Sequence, residues 1–340
     1  MNILVTGGAG FIGSHTCVAL LNEGHRVIAF DNFYNSKESV IENIKKITGK
    51  DFLFYKADMT RSEDLEKIFS ENQIDCVIHF AGYKAVGESV EIPLIYYYNN
   101  IYGTICLLEK MKKYNVKRII FSSSATVYGK PASLPIREDF PLSVTNPYGR
   151  TKLIIEEMLR DLWISDNKWS IILLRYFNPV GAHESGLLCE DPKGIPNNIM
   201  PRILDVAFGK TPFITVYGDD YHTKDGTGVR DYIHVVDLAY GHVKALNYIS
   251  THEMIEAVNL GTGTGYSVFD LIHTFEKVNQ VAVPYKICPR RAGDIDACYA
   301  DPTKAKEIFG WSAVHGLEDM CRDAYLSRKK SGEGATFETI

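Results

Sequence analysis

The segment "NILVTGGAGFIG", residues 2–13, decides the fold of this chain. Its first five residues are mostly apolar and run into glycines, which is typical of a short buried strand that ends in a turn. Gly7, Gly10 and Gly13 fit the spacing G-x-x-G-x-x-G, and the overlapping G-x-G-x-x-G begins one residue later. These glycines allow a tight turn, close backbone approach to a pyrophosphate and close helix–strand packing. The segment therefore predicts a dinucleotide site at the start of a helix over residues 11–21.

An acidic residue at the end of the next strand narrows the choice of dinucleotide. The run "RVIAFD", residues 26–31, reads as a second strand, and Asp31 ends it 18 residues beyond Gly13. A carboxylate in this place accepts a hydrogen bond from a ribose 2′-hydroxyl and repels a 2′-phosphate. We therefore expect NAD rather than NADP. The alternative, an ordinary glycine turn in an α/β fold, does not require this acidic residue.

Apolar runs and helical segments alternate over the first half of the chain. Further strands are predicted within residues 52–58, 76–82, 118–124 and 169–178, and helices within 37–48, 62–70 and 94–113. Strands separated by helices pair in parallel through right-handed crossovers, and their side chains are buried on both faces. The fold class that follows is α/β, a Rossmann-type doubly wound parallel sheet, with an NAD-binding domain over residues 1–177.

The pattern loosens beyond residue 177, where prolines and polar residues are frequent. Residues 217–231 read as a long polar loop, and helices are predicted over 236–249 and 268–278. A second glycine cluster at 261–265 lacks an acidic residue at the right distance, so we interpret it as a loop beside the substrate. We expect residues 178–340 to form a smaller α/β domain that binds the substrate, with some segments crossing back to the first domain.

Composition excludes several classes of partner. The formal net charge is −5 and no long basic run occurs, which argues against nucleic acid or an anionic membrane. No stretch approaches the roughly 20 apolar residues of a membrane span. The seven cysteines lack the spacing of a zinc or redox site, so we expect no metal and reduced thiols. Without the features of a secretion signal at the start, the expected location is the cytoplasm.

Two polar motifs supply the predicted chemistry. The run "FSSSATVYG", residues 121–129, leaves the end of a strand where ligands bind in such sheets, and "NPYGRTK", residues 146–152, opens a helix. Tyr148 and Lys152 are four residues apart and share a helix face. A phenol with a pKa near ~10 is a poor base at neutral pH, and a neighbouring ammonium lowers that pKa. We expect Tyr148 to act as the base, Lys152 as its partner and Ser124 as a donor to the substrate hydroxyl. The alternative is an exposed helix end that carries an amphipathic pair.

The chain resembles the extended short-chain dehydrogenase/reductase family, and within it the UDP-hexose 4-epimerases. The resemblance runs from residue 3 to about residue 301. It is carried by the motifs "VTGGAGFIGSHT", "HFAGYKAVGES", "FSSSATVYG", "PYGRTK", "LLRYFNPVGAH", "GIPNNIMP", "DGTGVRDYIHV" and "RRAGDIDA". It implies reversible inversion at C4 of a UDP-hexose through a 4-keto sugar, with tightly bound NAD as the cofactor.

The resemblance also implies which residues bind each ligand. Besides the glycines, Tyr148 and Lys152, it assigns NAD to Phe11, Ile12, Asp31, Asn32, Asn35, Ser36, Asp58, Met59, Phe80, Ala81, Gly82, Lys84, Asn99, Ser122, Tyr176 and Phe177. It assigns the UDP-sugar to Lys84, Ser124, Tyr148, Asn178, Asn198, Ile199, Thr215, Tyr217, Arg230, Val268, Arg291, Asp294 and Cys298. The two arginines have the side chain that suits a diphosphate.

Two other functions fit the same sequence class. A nucleotide-sugar 4,6-dehydratase needs adjacent acidic residues after the catalytic hydroxyl, and here Ser124 is followed by Ala125, Thr126 and Val127. A non-catalytic NAD-binding regulatory protein would not need Tyr148 and Lys152. The helices over residues 94–113 and 147–161 carry apolar residues on more than one face, and the resemblance implies that they form a homodimer.

Cys298 bears on the choice of sugar. In the family this position lies beside the C2 substituent of the hexose, where a tyrosine restricts the enzyme to UDP-glucose and UDP-galactose. A cysteine is small enough to leave room for an acetamido group, so the resemblance implies activity on UDP-GlcNAc and UDP-GalNAc as well. The alternative is that Cys298 is a small residue of the core, as cysteines often are.

Overall fold

The computed structural model describes residues 1–194, 196–291 and 293–332. Its strands are β1 (Asn2–Thr6), β2 (Arg26–Asp31), β3 (Leu53–Lys56), β4 (Cys76–His79), β5 (Arg118–Ser124), β6 (Ser170–Tyr176), β7 (Asn178–Val180), β8 (Ile214–Tyr217), β9 (Val229–Arg230), β10 (Tyr232–His234), β11 (Ile255–Leu260), β12 (Tyr266–Ser267), β13 (Tyr285–Cys288) and β14 (Ala297–Cys298). Its α-helices are α1 (Phe11–Asn22), α2 (Ser39–Thr48), α3 (Ser62–Glu71), α4 (Val86–Glu91), α5 (Pro93–Tyr96), α6 (Gly103–Lys113), α7 (Pro147–Ser165), α8 (Ile199–Ala207), α9 (Val235–Ile249), α10 (Val268–Asn279), α11 (Thr303–Phe309) and α12 (Leu317–Lys330).

Seven parallel strands form the central sheet in the order β11-β6-β5-β4-β1-β2-β3. Neighbouring residues of β1 point to opposite faces, so Ile3 and Val5 join one buried core while Leu4 joins the other. The first core includes residues of α1, α2 and α9, and the second includes residues of α3, α6 and α7. The predicted doubly wound parallel sheet is confirmed.

Residues beyond β6 build three small sheets and a third core. The sheets pair β10 with β7, β12 with β9 and β14, and β13 with β8. Residues of α8, α10 and α12 pack together in the third core. In contrast, β11 pairs with β6 and α9 covers the large sheet, so residues 235–260 lie with the first half. The predicted domain boundary between residues 177 and 178 stays a prediction. Residues 235–260 follow this boundary in sequence but pack with the first domain.

The helix predicted over residues 94–113 differs in form from the prediction. It begins as α5, passes through a π-helical segment at Tyr97–Tyr102 and continues as α6. This segment places Asn99 and Asn100 in the interior, next to the loop that follows β4. Among the described residues, no helix is long and apolar enough to cross a membrane.

Candidate active site

The glycine turn after β1 has the shape that the sequence predicts. Gly7 has a positive φ of 68°, and the Gly10 N–H donates to its carbonyl at 3.1 Å. A Cβ at Gly13 would lie 2.2 Å from the Gly7 oxygen, so only glycine lets α1 approach β1 this closely. No side chain caps the start of α1, which leaves the first-turn N–H groups of Phe11 and Ile12 suited to bind an anion. The turn therefore fits the pyrophosphate of a dinucleotide.

Asp31 ties the end of β2 to this turn. One carboxylate oxygen accepts from the Ala9 N–H at 3.1 Å, and the other accepts from the Phe33 N–H and the Ser36 hydroxyl. Burial raises the pKa of Asp31, while these hydrogen bonds oppose that shift. A carboxylate held beside the glycine turn suits a ribose diol and disfavours a 2′-phosphate. The residues present thus fit NAD.

Four further predicted contacts, Asn32, Asn35, Asp58 and Met59, follow the ends of β2 and β3. Asn32 donates to Asp58 at 2.9 Å, and Asn35 accepts from the backbone N–H of Lys193 at 2.9 Å. The side chain of Met59 is buried in the second core and faces Gly103, so only its backbone is available to a ligand. The sequence did not show that Asn32 and Asn35 present polar side chains here whereas the side chain of Met59 is buried in the core.

The loop after β4 forms the next wall of the cleft. The Thr6 hydroxyl accepts from the backbone N–H groups of Phe80 and Ala81 at 3.1 and 3.0 Å, which fixes the loop to β1. Gly82 lies close to Asn100, and Asn99 donates to the same Asn100 oxygen at 2.9 Å.

At the end of β6, Tyr176 and Phe177 are buried. They lie beside the end of β5, the strand that carries Ser124. The Tyr176 hydroxyl contacts His242 of α9, and its register partner on β5 is Ser124. Burial raises the pKa of Tyr176, so its hydroxyl stays protonated. The predicted nicotinamide-side residues therefore come from β4, β6 and the π-helical segment, which meet at one edge of the sheet.

Helix α7 presents the predicted catalytic pair. Asn146 caps the helix by accepting from the Gly149 N–H at 2.8 Å. Tyr148 is half-buried, while only 5 % of Lys152 is exposed. The Lys152 ammonium donates to the Ser122 carbonyl at 2.6 Å and lies 5.9 Å from the centre of the Tyr148 ring. The sequence therefore placed both groups correctly on one helix face.

The protonation of this pair differs from the expectation. Removal from water raises the pKa of Tyr148, and a hydrogen bond with Ser124 opposes that shift. Burial also lowers the pKa of Lys152 to about 7, with the Glu156 carboxylate acting in the opposite direction. The ammonium is directed at a backbone carbonyl rather than at the phenol. The hydrogen bond with Ser124 is the contact that lowers the pKa of Tyr148.

The three serines at the end of β5 do not act alike. The Ser124 hydroxyl accepts from the N–H and hydroxyl of Thr126 at 3.2 and 2.9 Å, and it lies on the Tyr148 side. The Ser123 hydroxyl donates instead to buried Glu156 at 2.5 Å. Strand alternation explains this difference, because neighbouring side chains face opposite sides. The sequence analysis missed Glu156, although its spacing of four residues from Lys152 was visible.

A charged cluster forms on the substrate side. Asp294 lies 3.0 Å from the Arg291 guanidinium and 3.8 Å from that of Arg230. The Arg291 guanidinium also lies 4.8 Å from the centre of the Tyr217 ring. Four predicted residues from three separate segments therefore meet, and their two arginines offer donors for a diphosphate.

Lys84 and Asn198 meet at a carboxylate that the sequence analysis missed. Both donate to the same oxygen of Glu190, at 2.8 and 2.5 Å. Glu190 is buried and lies in a loop with no helical or strand periodicity, so no local pattern indicated it. It connects the NAD side to the substrate side.

Cys298 lies in β14, opposite Arg230 in register. It packs on a core cluster that contains Ala125, Val127 and Phe177, the neighbours of the predicted catalytic serine and of the nicotinamide side. Tyr299 instead lies against Gly265. Cys298, rather than Tyr299, therefore packs on the cluster that contains Ala125, the residue after Ser124.

The remaining predicted substrate residues lie in the second half of the chain, in strands or at the first residue of a helix or strand. Asn178 begins β7, Ile199 begins α8, Thr215 lies in β8 and Val268 begins α10. The roles of these four residues in binding the UDP-sugar stay predictions. Among all residues that the structure describes, no group of three or more acidic, histidine or cysteine side chains is arranged to hold a metal.

Comparison with known proteins agrees with this geometry. A family model described as GDP-mannose 4,6 dehydratase matches residues 4–324. UDP-glucose 4-epimerase of Bacillus subtilis (strain 168) is 60 % identical over 334 residues, which cover 98 % of each chain. The relatives are thus matched along nearly their whole length.

Solved structures give the same result. The crystal structure of UDP-glucose 4-epimerase from Bifidobacterium longum in complex with NAD⁺ and UDP has a TM-score of 0.96 at 55 % identity, covering 98 % of this chain and 100 % of that one. The UDP-Glc/GlcNAc 4-epimerase of Campylobacter jejuni has a TM-score of 0.84 at 35 % identity, covering 97 % and 99 %. The chain belongs to the UDP-glucose 4-epimerases of the extended short-chain dehydrogenase/reductase family.

Proposed function

We propose that the chain catalyses reversible, NAD-dependent inversion at C4 of UDP-hexoses. The observation that carries the proposal is the position of Ser124, Tyr148 and Lys152 at the sheet edge that also holds the dinucleotide turn. Acid–base groups beside a redox cofactor suit the oxidation and reduction of a sugar alcohol. The solved relative from Bifidobacterium longum, with NAD⁺ and UDP bound, supports the same pair of ligands.

NAD would be held by the glycine turn, the start of α1 and Asp31. When bound, it supplies the chemistry of accepting hydrogen from C4 of the sugar and returning it. The rest of the reaction belongs to the side chains. Tyr148, as the phenolate, takes the proton of the C4 hydroxyl and later gives it back, while Ser124 hydrogen-bonds to the phenol oxygen. Burial alone favours the neutral phenol, so the phenolate depends on the Lys152 ammonium and on the positive charge that bound NAD⁺ would add. Lys152 fixes the strand end through Ser122 and places a positive charge beneath the phenol.

Inversion requires that the 4-keto sugar turn over while its nucleotide stays bound. Arg230 and Arg291 would hold the diphosphate, because both guanidinium groups lie at one cluster around Asp294. Lys84 and Asn198 would contact the link between nucleotide and sugar, since Glu190 holds them together. Anchoring one end of the substrate leaves the hexose free to present either face to Tyr148.

Elimination of water, the dehydratase reaction, lacks its acid and base here. Ser124 is followed by a 3₁₀ turn in which Ala125 and Val127 are buried and Thr126 donates back to Ser124. These side chains cannot exchange a proton with C5 or C6 of a hexose. The epimerase reaction needs no such pair, so we prefer it although the matching family model is described as a dehydratase.

We extend the proposal to UDP-GlcNAc and UDP-GalNAc because of Cys298. Its side chain packs on the cluster that contains Ala125, the residue after Ser124, and a side chain of this size would leave the C2 side of the sugar open. The Campylobacter jejuni relative, described as a UDP-Glc/GlcNAc 4-epimerase, supports this breadth within the family.

We also propose that two chains form a homodimer, as the resemblance implies for the helices over residues 94–113 and 147–161. The exposed apolar surface belongs to the first of these, at α5 and the π-helical segment, whereas Ile155 and Leu159 of α7 are buried in the second core. Leu94 and Tyr98 are 80 % and 60 % exposed, and Val90, Ile95 and Ile105 are exposed nearby. An apolar surface of this kind is typical of a protein–protein interface. Light scattering at micromolar concentration tests the assembly, and a monomer there would contradict it.

The test of the function uses the purified protein, freed of unbound nucleotide. We expect bound NAD(H) to be released on denaturation, and UDP-galactose to be converted into UDP-glucose without added cofactor. A non-catalytic NAD-binding protein would release the cofactor but convert nothing. A 4-keto-6-deoxy product would indicate the dehydratase, and the absence of both cofactor and conversion would contradict the proposal.

A further inference from the structure

Helix α7 carries a third ionisable residue on the face of Tyr148 and Lys152. Glu156 follows Lys152 by one turn, and only 1 % of it is exposed. Its two oxygens accept from the Arg175 guanidinium at 2.9 and 2.6 Å. Arg175, on β6, is also 1 % exposed. The result is a fully buried, two-pronged ion pair between α7 and the sheet.

Further hydrogen bonds complete the surroundings of this pair. The Ser123 hydroxyl donates to Glu156 at 2.5 Å. The second terminal nitrogen of Arg175 donates to the Tyr128 hydroxyl at 2.9 Å and to the Glu138 carbonyl at 3.2 Å. Burying an ion pair is weak evidence for stability, because desolvation offsets much of the attraction. A role in the site explains better why these charges lie in the core.

The geometry connects the ion pair to the catalytic groups. Because strand side chains alternate, Ser123 can face Glu156 only if Ser122 and Ser124 face the other way. The Ser122 carbonyl accepts from Lys152, and Ser124 interacts with Tyr148. Holding Ser123 therefore fixes the partners of both catalytic residues.

Charge forms a second connection. The groups around the Lys152 ammonium are Tyr148 and Glu156 on its own helix, the Ser122 carbonyl on β5 and His79 on β4. On β6, Arg175 contacts Glu156, and Tyr176 interacts with Ser122 and Tyr148. Burial lowers the pKa of His79 to about 3 and raises that of Tyr176, so both are neutral at pH 7. Glu156 is the acidic group that opposes the effect of burial on Lys152.

We propose that Ser123, Glu156 and Arg175 form a positioning unit for the catalytic residues, and that the Glu156 carboxylate keeps the buried Lys152 ammonium charged. The role in turnover rests on the proposed function. The effect on the charge of Lys152 does not, because it is a property of the folded chain alone.

Two variants separate the positioning role from the charge role. Ser123→Ala removes one hydrogen bond and leaves the ion pair in place. The double variant Glu156→Gln with Arg175→Met removes both charges, which avoids an unpaired buried arginine. A matched control, Lys117→Met with Asp166→Asn, removes the 2.8 Å ion pair that holds the other end of α7.

Turnover of UDP-galactose and the titration of Lys152 are measured in each protein. The Lys152 ¹³Cε resonance is identified by its absence from the spectrum of Lys152→Met. Its chemical shift as a function of pH reports the titration of Lys152 without any need for activity. We expect Ser123→Ala to lower kcat about tenfold with an unchanged KM, as for loss of one hydrogen bond to a charged group. In the double variant we expect Lys152 to titrate about one pH unit lower, because the Glu156 carboxylate that acts on the ammonium is gone. The Arg175 charge that is lost with it pairs with Glu156 and does not contact Lys152, so its removal offsets little of this shift. The alkaline limb of the kcat profile should move to lower pH with it, while the control changes neither quantity.

An unchanged kcat in Ser123→Ala would overturn the positioning role. An unmoved Lys152 titration in the double variant would overturn the charge role. If Lys152 titrates lower in the double variant than in the wild type but neither protein converts UDP-sugar, the proposed function fails while the inference about Lys152 stands. Ser123→Ala keeps the ion pair, so it tests the proposal in a folded protein even if the double variant does not fold.

Discussion

The two halves of the cleft are built in different ways. The dinucleotide half consists of strand ends and one turn, and its shape depends on backbone: Gly7 turns the chain, and Gly13 lets the helix approach. The sugar half consists of side chains from distant segments, such as Arg230 and Arg291 around Asp294. The first half is consequently sensitive to any added atom, whereas the second is sensitive to a change of charge or volume at single positions.

The largest effect is expected where the two halves meet, at Tyr148. Tyr148→Phe removes the proton acceptor and keeps the ring, so kcat should fall about 10²–10⁴-fold, the range of a lost acid–base group. NAD content should stay at the wild-type value, because the dinucleotide turn is untouched. Initial rates with UDP-galactose and cofactor release on denaturation measure both quantities. Turnover within twofold of the wild type would mean that Tyr148 is not the base.

The dinucleotide half is tested by Gly13→Ala. The new methyl group would lie 2.2 Å from the Gly7 carbonyl oxygen, so α1 must shift and the anion site opens. We expect the purified variant to contain little NAD and to lose about 10²-fold in turnover, as for a displacement of about 1 Å at a reacting centre. Gly87→Ala is the matched control, since nothing lies within 4 Å of its added methyl group. Equal NAD content in the two variants would contradict the backbone account of this half.

The sugar half is tested by Arg291→Met. Loss of a charge-assisted bond to phosphate should raise KM for UDP-galactose about 10–100-fold with little change in kcat. Arg137→Met is the control, because Arg137 is also 58 % exposed and also pairs with a nearby aspartate. A loss in kcat instead of KM would place Arg291 in the chemistry rather than in binding. Equal KM values in the variant and the control would remove it from the site.

A smaller and more selective effect is expected at Cys298. Cys298→Tyr adds a ring beside the cluster that contains Ala125, the residue after Ser124. Its bulk should lower kcat/KM for UDP-GalNAc about tenfold or more, as for overfilling a packed pocket, and leave UDP-galactose within about threefold. Steady-state rates on the four UDP-hexoses give the comparison. Rejection of N-acetyl sugars by the wild type, or equal acceptance by the variant, would show that Cys298 does not control this choice.

The same contrast explains what the sequence could predict. Gly7, Gly13 and Asp31 follow one another within a single strand–helix–strand unit, so their spacing predicted the NAD side, and the alternation of strands and helices around them predicted the sheet. Tyr148 and Lys152 were predicted together because helix geometry fixes residues four apart. These features are local, and local geometry is what a sequence pattern records.

Other features depend on contacts between distant segments. Glu190 contacts both Lys84, 106 residues away in sequence, and Asn198, and no period in the chain indicates these contacts. The path of β11 back into the large sheet is decided by its pairing with β6. The orientation of Lys152 toward a carbonyl depends on the burial of its ammonium, which no spacing shows. Such properties arise from packing and required the structure.

The central claim is that the hydrogen at C4 leaves and returns within one bound complex. UDP-galactose carrying deuterium at C4 tests it directly when the product UDP-glucose is examined by mass spectrometry and NMR in ordinary water. We predict that the product keeps its deuterium at C4 with inverted configuration, because the site holds sugar and cofactor together. Replacement of that deuterium by solvent hydrogen would contradict the account.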